Sequence, residues 1–427
     1  MSALAKFMSI CGYETSGSDA LRGEETEALA FYGIKVFIGA DREREELKQA
    51  DVVVYTDALP LGHAEWVAAS VMKKRLYSRA EFLGMLCGNF EQVLAVAGSH
   101  GKTTCTSMCA HILKATGVPF TAHIGGEDGE FGNFITSGLD YFVTEACEYK
   151  KNLLKIPADR AILLNVDKDH MECYRDEADL LSCFQSYCQA AKTAFVCADD
   201  LYSKNLGEYV TFGIENTLAD YRATSIRVYN EKYAFTVEEY GKPLCRVQLN
   251  ALGKCNVYNA LAAFAAMRSY GFHEKEIVKG LENFNAVKRR FEKIGEYRGV
   301  TFLCDYAHHP KEIASTVKTA SAICRGELYV IFQPHTYSRT KLLFGEFSNI
   351  LQSIKNVMIY KTYPARETYD SAGSGETLAH AIGALYAENV YVLKMWLKKT
   401  LKEKDMVLFL GAGDIYYAAQ YLLKELK

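Results

Sequence analysis

The chain has 427 residues, 49% of them hydrophobic and 24% charged, with a formal net charge of −3 at pH 7. A length of this order supports roughly two to four domains with a core each, and the near-neutral balance argues against a general nucleic-acid or polybasic membrane surface. No run approaches the roughly 18 apolar residues a membrane span needs, and thirteen cysteines without a CxxC pair speak against zinc or disulfide frameworks. That many thiols fit a reducing compartment, so a cytoplasmic protein is expected. The first residues, MSALAKFMSICGYE, lack the cationic and apolar regions of a signal peptide.

Short apolar, β-branched runs alternate with helical stretches along the chain. Predicted strands are Lys35–Ile38, Asp51–Tyr55, Val93–Ala97, Tyr141–Thr144, Ala161–Asn165, Ala194–Ala198, Thr301–Cys304, Leu328–Phe332, Asn356–Tyr360 and Met406–Leu410. Thr103–Thr116, Asn256–Tyr270 and Pro310–Ile323 read as helices, with Cys105 and Cys109 one turn apart as packing residues. The alternation implies α/β layers with mostly parallel sheets. Residues 208–250 differ. Their runs (Tyr209–Phe212, Ala223–Tyr229, Lys232–Glu238, Leu244–Leu249) read as a small antiparallel insertion with Asn230-Glu231 at a hairpin tip. No repeat or low-complexity linker marks a boundary. Motif placement divides the chain at 1–89, 90–292 and 293–427.

The strongest chemical signal is the strand Val93–Ala97 running into Gly98-Ser99-His100-Gly101-Lys102-Thr103-Thr104 and then a helix. Backbone N–H groups in such a loop can point at phosphate oxygens, and the helix dipole favours their charge. Gly98 and Gly101 permit close approach. Lys102 would reach the β- and γ-phosphates of ATP, and the Thr103 hydroxyl would bind Mg²⁺. The usual pattern has a glycine where Val96 stands, so this is a shorter variant. A magnesium site needs further hard oxygen donors. Glu145 and Glu148 follow one strand of the presumed sheet, and Leu164-Asn165-Val166-Asp167-Lys168-Asp169-His170 ends another. Ligands of α/β sheets gather at such carboxyl ends, and His170 could hold metal or orient phosphate there.

In this order GSHGKTT, TEACE, LNVDKDHMECY, GKCNVYNALAAFAA, KRRFE and CDYAHHP resemble the Mur ligase family, whose members build the peptide stem of bacterial cell-wall precursors. FQPHTYSRT (332–340) and LFLGAGDI (408–415) resemble those of its first peptide-adding members. The resemblance implies three domains: a truncated Rossmann-like N-terminal domain for the UDP-sugar, a central P-loop ATPase-type parallel sheet, and a Rossmann-like C-terminal domain for the amino acid. It implies ATP, UDP-N-acetylmuramate and L-alanine as substrates, Mg²⁺ as cofactor, no nucleic-acid or membrane partner, and a monomer or homodimer. Lys102, Thr103, Glu145 and His170 match the family's phosphate and metal ligands. Asn256 and Asn259 match its asparagines near adenine, although Cys255 stands where a histidine is frequent. Arg290 matches an arginine near the ATP phosphates, and Asp305 a residue near the ribose. His308 and His309 fall near the transferred phosphate and incoming amine. His335, Tyr337 and Arg339 match the segment facing the amino acid.

The implied chemistry is attack of a carboxylate on the γ-phosphate, then attack of the L-alanine amine on the acyl phosphate. His308 is the candidate base, with His309 or His170 as alternatives. The C-terminal domain is expected to close over the reaction.

The N-terminus departs from the family, whose first strand and glycine-rich GxGGxG turn lie against the UDP-sugar diphosphate. Here the chain opens at Met1-Ser2-Ala3-Leu4-Ala5, inside the helix expected to follow that turn. The expectation is a native chain that starts upstream; the alternative is a form that has lost UDP-sugar binding. Ser18, Asp19, Thr56 and Arg79 remain as UDP-sugar candidates. Rival readings are a ligase recycling a tripeptide onto the same UDP-sugar, a non-catalytic ATP-binding paralogue and a plain P-loop phosphotransferase.

Overall fold

The computed structural model describes residues 1–39, 44–59, 62–168, 170–229 and 232–426. Asp169 and the Asn230-Glu231 turn lie outside the described residues. The chain divides into two compact units. The first comprises Met1–Arg227, Ala234–Leu249 and Asn256–Phe284, and the second Val228–Tyr233, Asn250–Cys255 and Asn285–Lys427.

The first unit opens with two separate parallel pairs. β1 (Ser16–Asp19) pairs with β2 (Lys35–Ile38), and β3 (Val52–Tyr55) with β4 (Arg75–Ser78). After β4, Ser78 and Glu81 form a reciprocal capping box that starts the helix Arg79–Cys87 and fixes Arg79 at its head.

A ten-stranded sheet follows, built from β5 (Gln92–Ala97), β6 (Phe120–Asp128), β7 (Gly132–Thr136), β8 (Tyr141–Glu145), β9 (Arg160–Leu163), β10 (Thr193–Cys197), β11 (Val210–Gly213), β12 (Tyr221–Tyr229), β13 (Lys232–Glu239) and β14 (Lys242–Leu249). Its order is β14-β13-β12-β11-β10-β9-β5-β8-β6-β7. β5 lies between β8 and β9, parallel to both. The chain leaves β5 for β6 on one side and later returns to β9 on the other, so the crevice at β5's carboxyl end is the sheet's switch point, where ligands of α/β sheets bind. Val93, Leu94, Ala95, Val96 and Ala97 are all buried, as a strand covered on both faces requires.

One expectation is corrected. β11 is not part of an antiparallel insertion; it pairs parallel with β10 and, over two residues, with β12. The stretch 198–209 between β10 and β11 supplies the roughly dozen residues that a parallel crossover needs. β9 also ends at Leu163, before the predicted Asn165, leaving residues 164–168 free to turn back toward the loop after β5.

The second unit is a six-stranded sheet of order β15-β16-β20-β17-β18-β19. Its strands are β15 (Glu292–Tyr297), β16 (Val300–Asp305), β17 (Leu328–Phe332), β18 (Asn356–Tyr360), β19 (Leu385–Ala387) and β20 (Met406–Leu410). Only β15 runs antiparallel to its neighbour. Val407 and Phe409 join the core on one face, while Met406, Leu408 and Leu410 join the core on the other. This central strand is therefore apolar at every position.

Candidate active site

The loop after β5 is the hub of the first unit. Gly98 has φ +136° and Gly101 φ +87°, conformations that L side chains rarely adopt. A Cβ on Gly98 would stand 3.1 Å from the Asn165 backbone, and one on Gly101 would stand 2.6 Å from Asn259 Oδ1. The 15-residue helix Lys102–Thr116 then begins, burying Thr103, Thr104, Cys105 and Cys109.

Asn165 clamps this loop. Its Oδ1 accepts from His100 N at 2.8 Å, and its Nδ2 donates to His100 O at 3.0 Å. Ser99 N donates to Asn165 O, and Ser99 Oγ accepts from Asp167 N at 2.7 Å. His100 Nε2 lies 3.3 Å from Asp167 Oδ2. Sequence reasoning singled out the strand-end cluster but assigned Asn165 and Asp167 no task. Their reach to residues 99 and 100 depends on β9 lying beside β5.

Lys102 Nζ donates to Gly98 O at 2.5 Å and to both oxygens of Glu148 at 3.0 and 2.9 Å. Burial pulls its ammonium down, but Glu148, with Cys147 and Glu145, together outweigh that and hold it above the usual lysine range. Glu145, at the end of β8, is in register with Val96 of β5. Its Oε1 accepts from Gly125 N at 2.7 Å. His170 has φ +55°; its ring stands edge-on to Tyr149 at 5.2 Å, and its Nδ1 lies 3.4 Å from Glu172 Oε1.

Asn259 is buried, and its Nδ2 donates to Asn256 Oδ1 at 3.0 Å. The same helix is tied to the end of β10 by Tyr258, whose hydroxyl donates to Asp199 at 2.8 Å. Among the UDP-sugar candidates, Arg79 lies 3.2 Å from His123 Nε2. Ser18 donates to Glu65, Asp19 accepts from Leu21 N, and Thr56 accepts from Ala58 N. Next to Thr56, Asp57 accepts from Asn152 Nδ2 at 2.9 Å.

In the second unit the predicted residues sit at the carboxyl ends of β16 and β17. Asp305 accepts from Phe291 N at 2.7 Å and Ala307 N at 2.8 Å. Burial pushes its carboxyl up to about 6, against the pull of the Arg290 guanidinium. Arg290 lies over the Tyr306 ring at 4.8 Å. Arg289, which sequence reasoning passed over, donates to Gly411 O and Gly413 O and also lies over Tyr306. His308 Nδ1 is 2.9 Å from Tyr306 O, so that nitrogen carries the hydrogen and Nε2 holds the lone pair in the neutral ring. The backbone N–H groups of His308 and His309 both donate to Glu312. The His335 ring stands 5.9 Å from that of His308 and stacks on Tyr363 at 5.4 Å. Burial and Arg339 push the His335 imidazole below its usual range. Arg339 donates to His335 O, and Tyr337 meets Tyr369 edge-on at 5.5 Å.

Three family models match along the chain: the Mur ligase catalytic domain over residues 1–91, the Mur ligase middle domain over 96–267 and the glutamate ligase domain over 289–413. The chain belongs to the Mur ligase family. It is 35% identical over 439 residues to the UDP-N-acetylmuramate–L-alanine ligase of Clostridium beijerinckii, covering 99% of this chain and 95% of that one. It is 36% identical over 440 residues to the ligase of the same name from Lachnospira eligens, with the same coverage. The solved UDP-N-acetylmuramate-alanine ligase of Thermotoga maritima matches with a TM-score of 0.85 at 28% identity, covering 100% of this chain and 96% of that one. A murein peptide ligase from Psychrobacter arcticus shares the fold, with a TM-score of 0.73 at 22% identity, covering 100% of this chain and 96% of that one.

Proposed function

We propose that this chain is an ATP-dependent ligase that joins L-alanine to the carboxylate of UDP-N-acetylmuramate in peptidoglycan precursor synthesis, in the cytoplasm. The observation that carries this reading is similarity over 99% of the chain, at 35% identity, to a ligase of that name. Among the described residues no helix is long and apolar enough to cross a membrane. Residues 1–89, 90–292 and 293–427 are proposed to serve the UDP-sugar, ATP and the amino acid in turn.

In the proposed mechanism a carboxylate oxygen of the UDP-sugar attacks the γ-phosphorus of ATP, and ADP leaves with the bridging electron pair. The L-alanine amine then attacks the acyl carbon, and phosphate leaves. Lys102 offsets charge on the phosphoryl oxygens, and Gly98, Ser99, His100, Gly101, Thr103 and Thr104 cradle the phosphate chain. Asn256, Asn259, Arg290 and Asp305 are assigned to the rest of the nucleotide. His308 is assigned as base because its Nε2 holds the lone pair that an ammonium proton requires. Ser18, Asp19, Thr56 and Arg79 are assigned to the UDP-sugar, and His335, Tyr337 and Arg339 to the amino acid.

The donor set fits Mg²⁺. Thr103 and Glu145 offer hard oxygens, and Glu145 Oε2 makes no hydrogen bond among the described residues. Thr103, Glu145 and His170 are the residues proposed to hold the ion, which would withdraw charge from the phosphoryl oxygens.

Phosphate release with ATP, Mg²⁺, UDP-N-acetylmuramate and L-alanine, each omitted in turn, tests the reading. Release that needs all four supports it. Release from ATP and Mg²⁺ alone would make the chain a nucleotide hydrolase.

A further inference from the structure

Gly125 lies in β6, whose pairing with β8 reaches His123 opposite Thr144. Two residues on, its backbone N–H meets Glu145 Oε1 at 2.7 Å. A Cβ on Gly125 would stand 2.4 Å from Oε1 and 2.6 Å from both Cδ and Oε2. Real side chains essentially never come that close, so the carboxylate would have to move. The Gly125 backbone itself imposes no demand for glycine, because its φ lies outside the left-handed range. What glycine supplies here is space beside one carboxylate, together with an N–H to hold it.

The consequences separate cleanly. The obstructed atoms are the far end of a flexible side chain rather than backbone, so a methyl group at 125 displaces the carboxylate and leaves the fold alone. Neighbours that orient a metal ligand commonly matter about 10- to 100-fold in metal affinity. We propose that Gly125 is a positioning residue for Glu145: its N–H and its missing side chain fix the carboxylate so that the second oxygen faces a divalent cation. This rests on the reading of Glu145 as a metal ligand.

The test is a double-mutant cycle on the full chain with Gly125→Ala, Glu145→Gln and the pair. The readout is Mn²⁺ binding, followed by electron paramagnetic resonance at a fixed concentration of a non-hydrolysable ATP analogue. Gly125→Ala is expected to weaken Mn²⁺ binding about tenfold, with the melting temperature and the analogue's affinity in EDTA unchanged. In the Glu145→Gln background the same alanine should cost nothing further, because it acts only through that carboxylate. Unchanged Mn²⁺ binding by Gly125→Ala, with Glu145→Gln impaired, overturns the positioning role, and so does an additive double mutant. Wild-type Mn²⁺ binding by Glu145→Gln overturns the reading of Glu145 as a ligand, and the proposal with it.

Discussion

Lys102 and Glu148 face each other with side chains only 14% and 2% exposed, so each ion relies on the other for solvation. Removing one partner of such a pair costs about 3–5 kcal/mol, because the other charge is left buried and alone. Lys102→Met should therefore lower the denaturation midpoint strongly, and adding Glu148→Gln should recover most of it while ATP turnover stays absent. A single mutant as stable as the parent would show that the pair is not the buried unit its exposure implies. Asp305 gives a prediction in pH. Its carboxyl titrates at about 6 instead of 3.8, so the folded state holds this proton more tightly than the unfolded one. The stability it contributes is full below about 3.8 and is lost as pH rises through about 6. Asp305→Asn lacks this titration. Unfolding measured from pH 4 to pH 7 should find the parent's advantage over the mutant shrinking by roughly 2 kcal/mol, at about 1.4 kcal/mol per unit. A constant difference would mean that Asp305 is solvated. Lys102 was legible because strand, glycines, Lys-Thr and helix agree locally. Its partner Glu148 was legible only as a carboxylate near a strand end, since a contact spanning 46 residues exists only once β8 lies beside β5. Gly125 carried no sequence signal, because its importance is a distance to Glu145.

The helix Lys102–Thr116 begins at the loop after β5, and contacts with β6 and with a second helix hold it further along. His111 and Ser107 both bond Asp128 at the end of β6, at 3.1 and 2.6 Å. Gly280, in the helix Glu274–Asn283, lies against Ile112 so closely that a Cβ would stand 2.4 Å from Ile112 Cα and 2.7 Å from its N. Those atoms are backbone and cannot rotate away. Alanine ordinarily gains about 1 kcal/mol over glycine inside a helix, whereas forcing bulk into a packed interface costs about 1–3 kcal/mol and occasionally more. The clash should win. Gly280→Ala is expected to lower the melting temperature and, by displacing the helix that starts at Lys102, to weaken nucleotide binding in a titration. A stabilised Gly280→Ala would show that the helices can separate at little cost. The long parallel strands were legible at this scale because they are buried on both faces: Leu328–Phe332, Asn356–Tyr360 and Met406–Leu410 match residue for residue. The β6–β7 hairpin was not, since His123, Gly125, Gly126, Glu127 and Asp128 break any apolar run. β11 was misread because a four-residue strand followed by turns looks the same whether its neighbour runs parallel or antiparallel.

For the whole molecule, the order of motifs along the chain was the legible quantity, because most of the motifs follow a strand and the carboxyl ends of parallel strands in one sheet share an edge. β5, β8 and β9 deliver Lys102, Glu145 and Asn165 in this way, and β16 and β17 deliver Asp305 and His335. The assembly of these ends was not legible, since a spatial order such as β9-β5-β8 cannot be read from β5, β8, β9 in sequence. The proposed function makes a demand that single residues cannot test. If ATP activates the sugar carboxylate before the amine arrives, then ATP, Mg²⁺ and UDP-N-acetylmuramate without L-alanine should yield about one ADP per active chain in a rapid quench and then stop, as an intermediate accumulating without its acceptor requires. Adding L-alanine should convert the burst into steady turnover, and omitting the UDP-sugar should abolish it. Continuous ADP formation without L-alanine would mean that water reaches the acyl phosphate freely. Absence of any ADP until L-alanine is present would mean that phosphoryl transfer waits for the amine to bind, and accumulation of the acyl phosphate ahead of it would have to be given up.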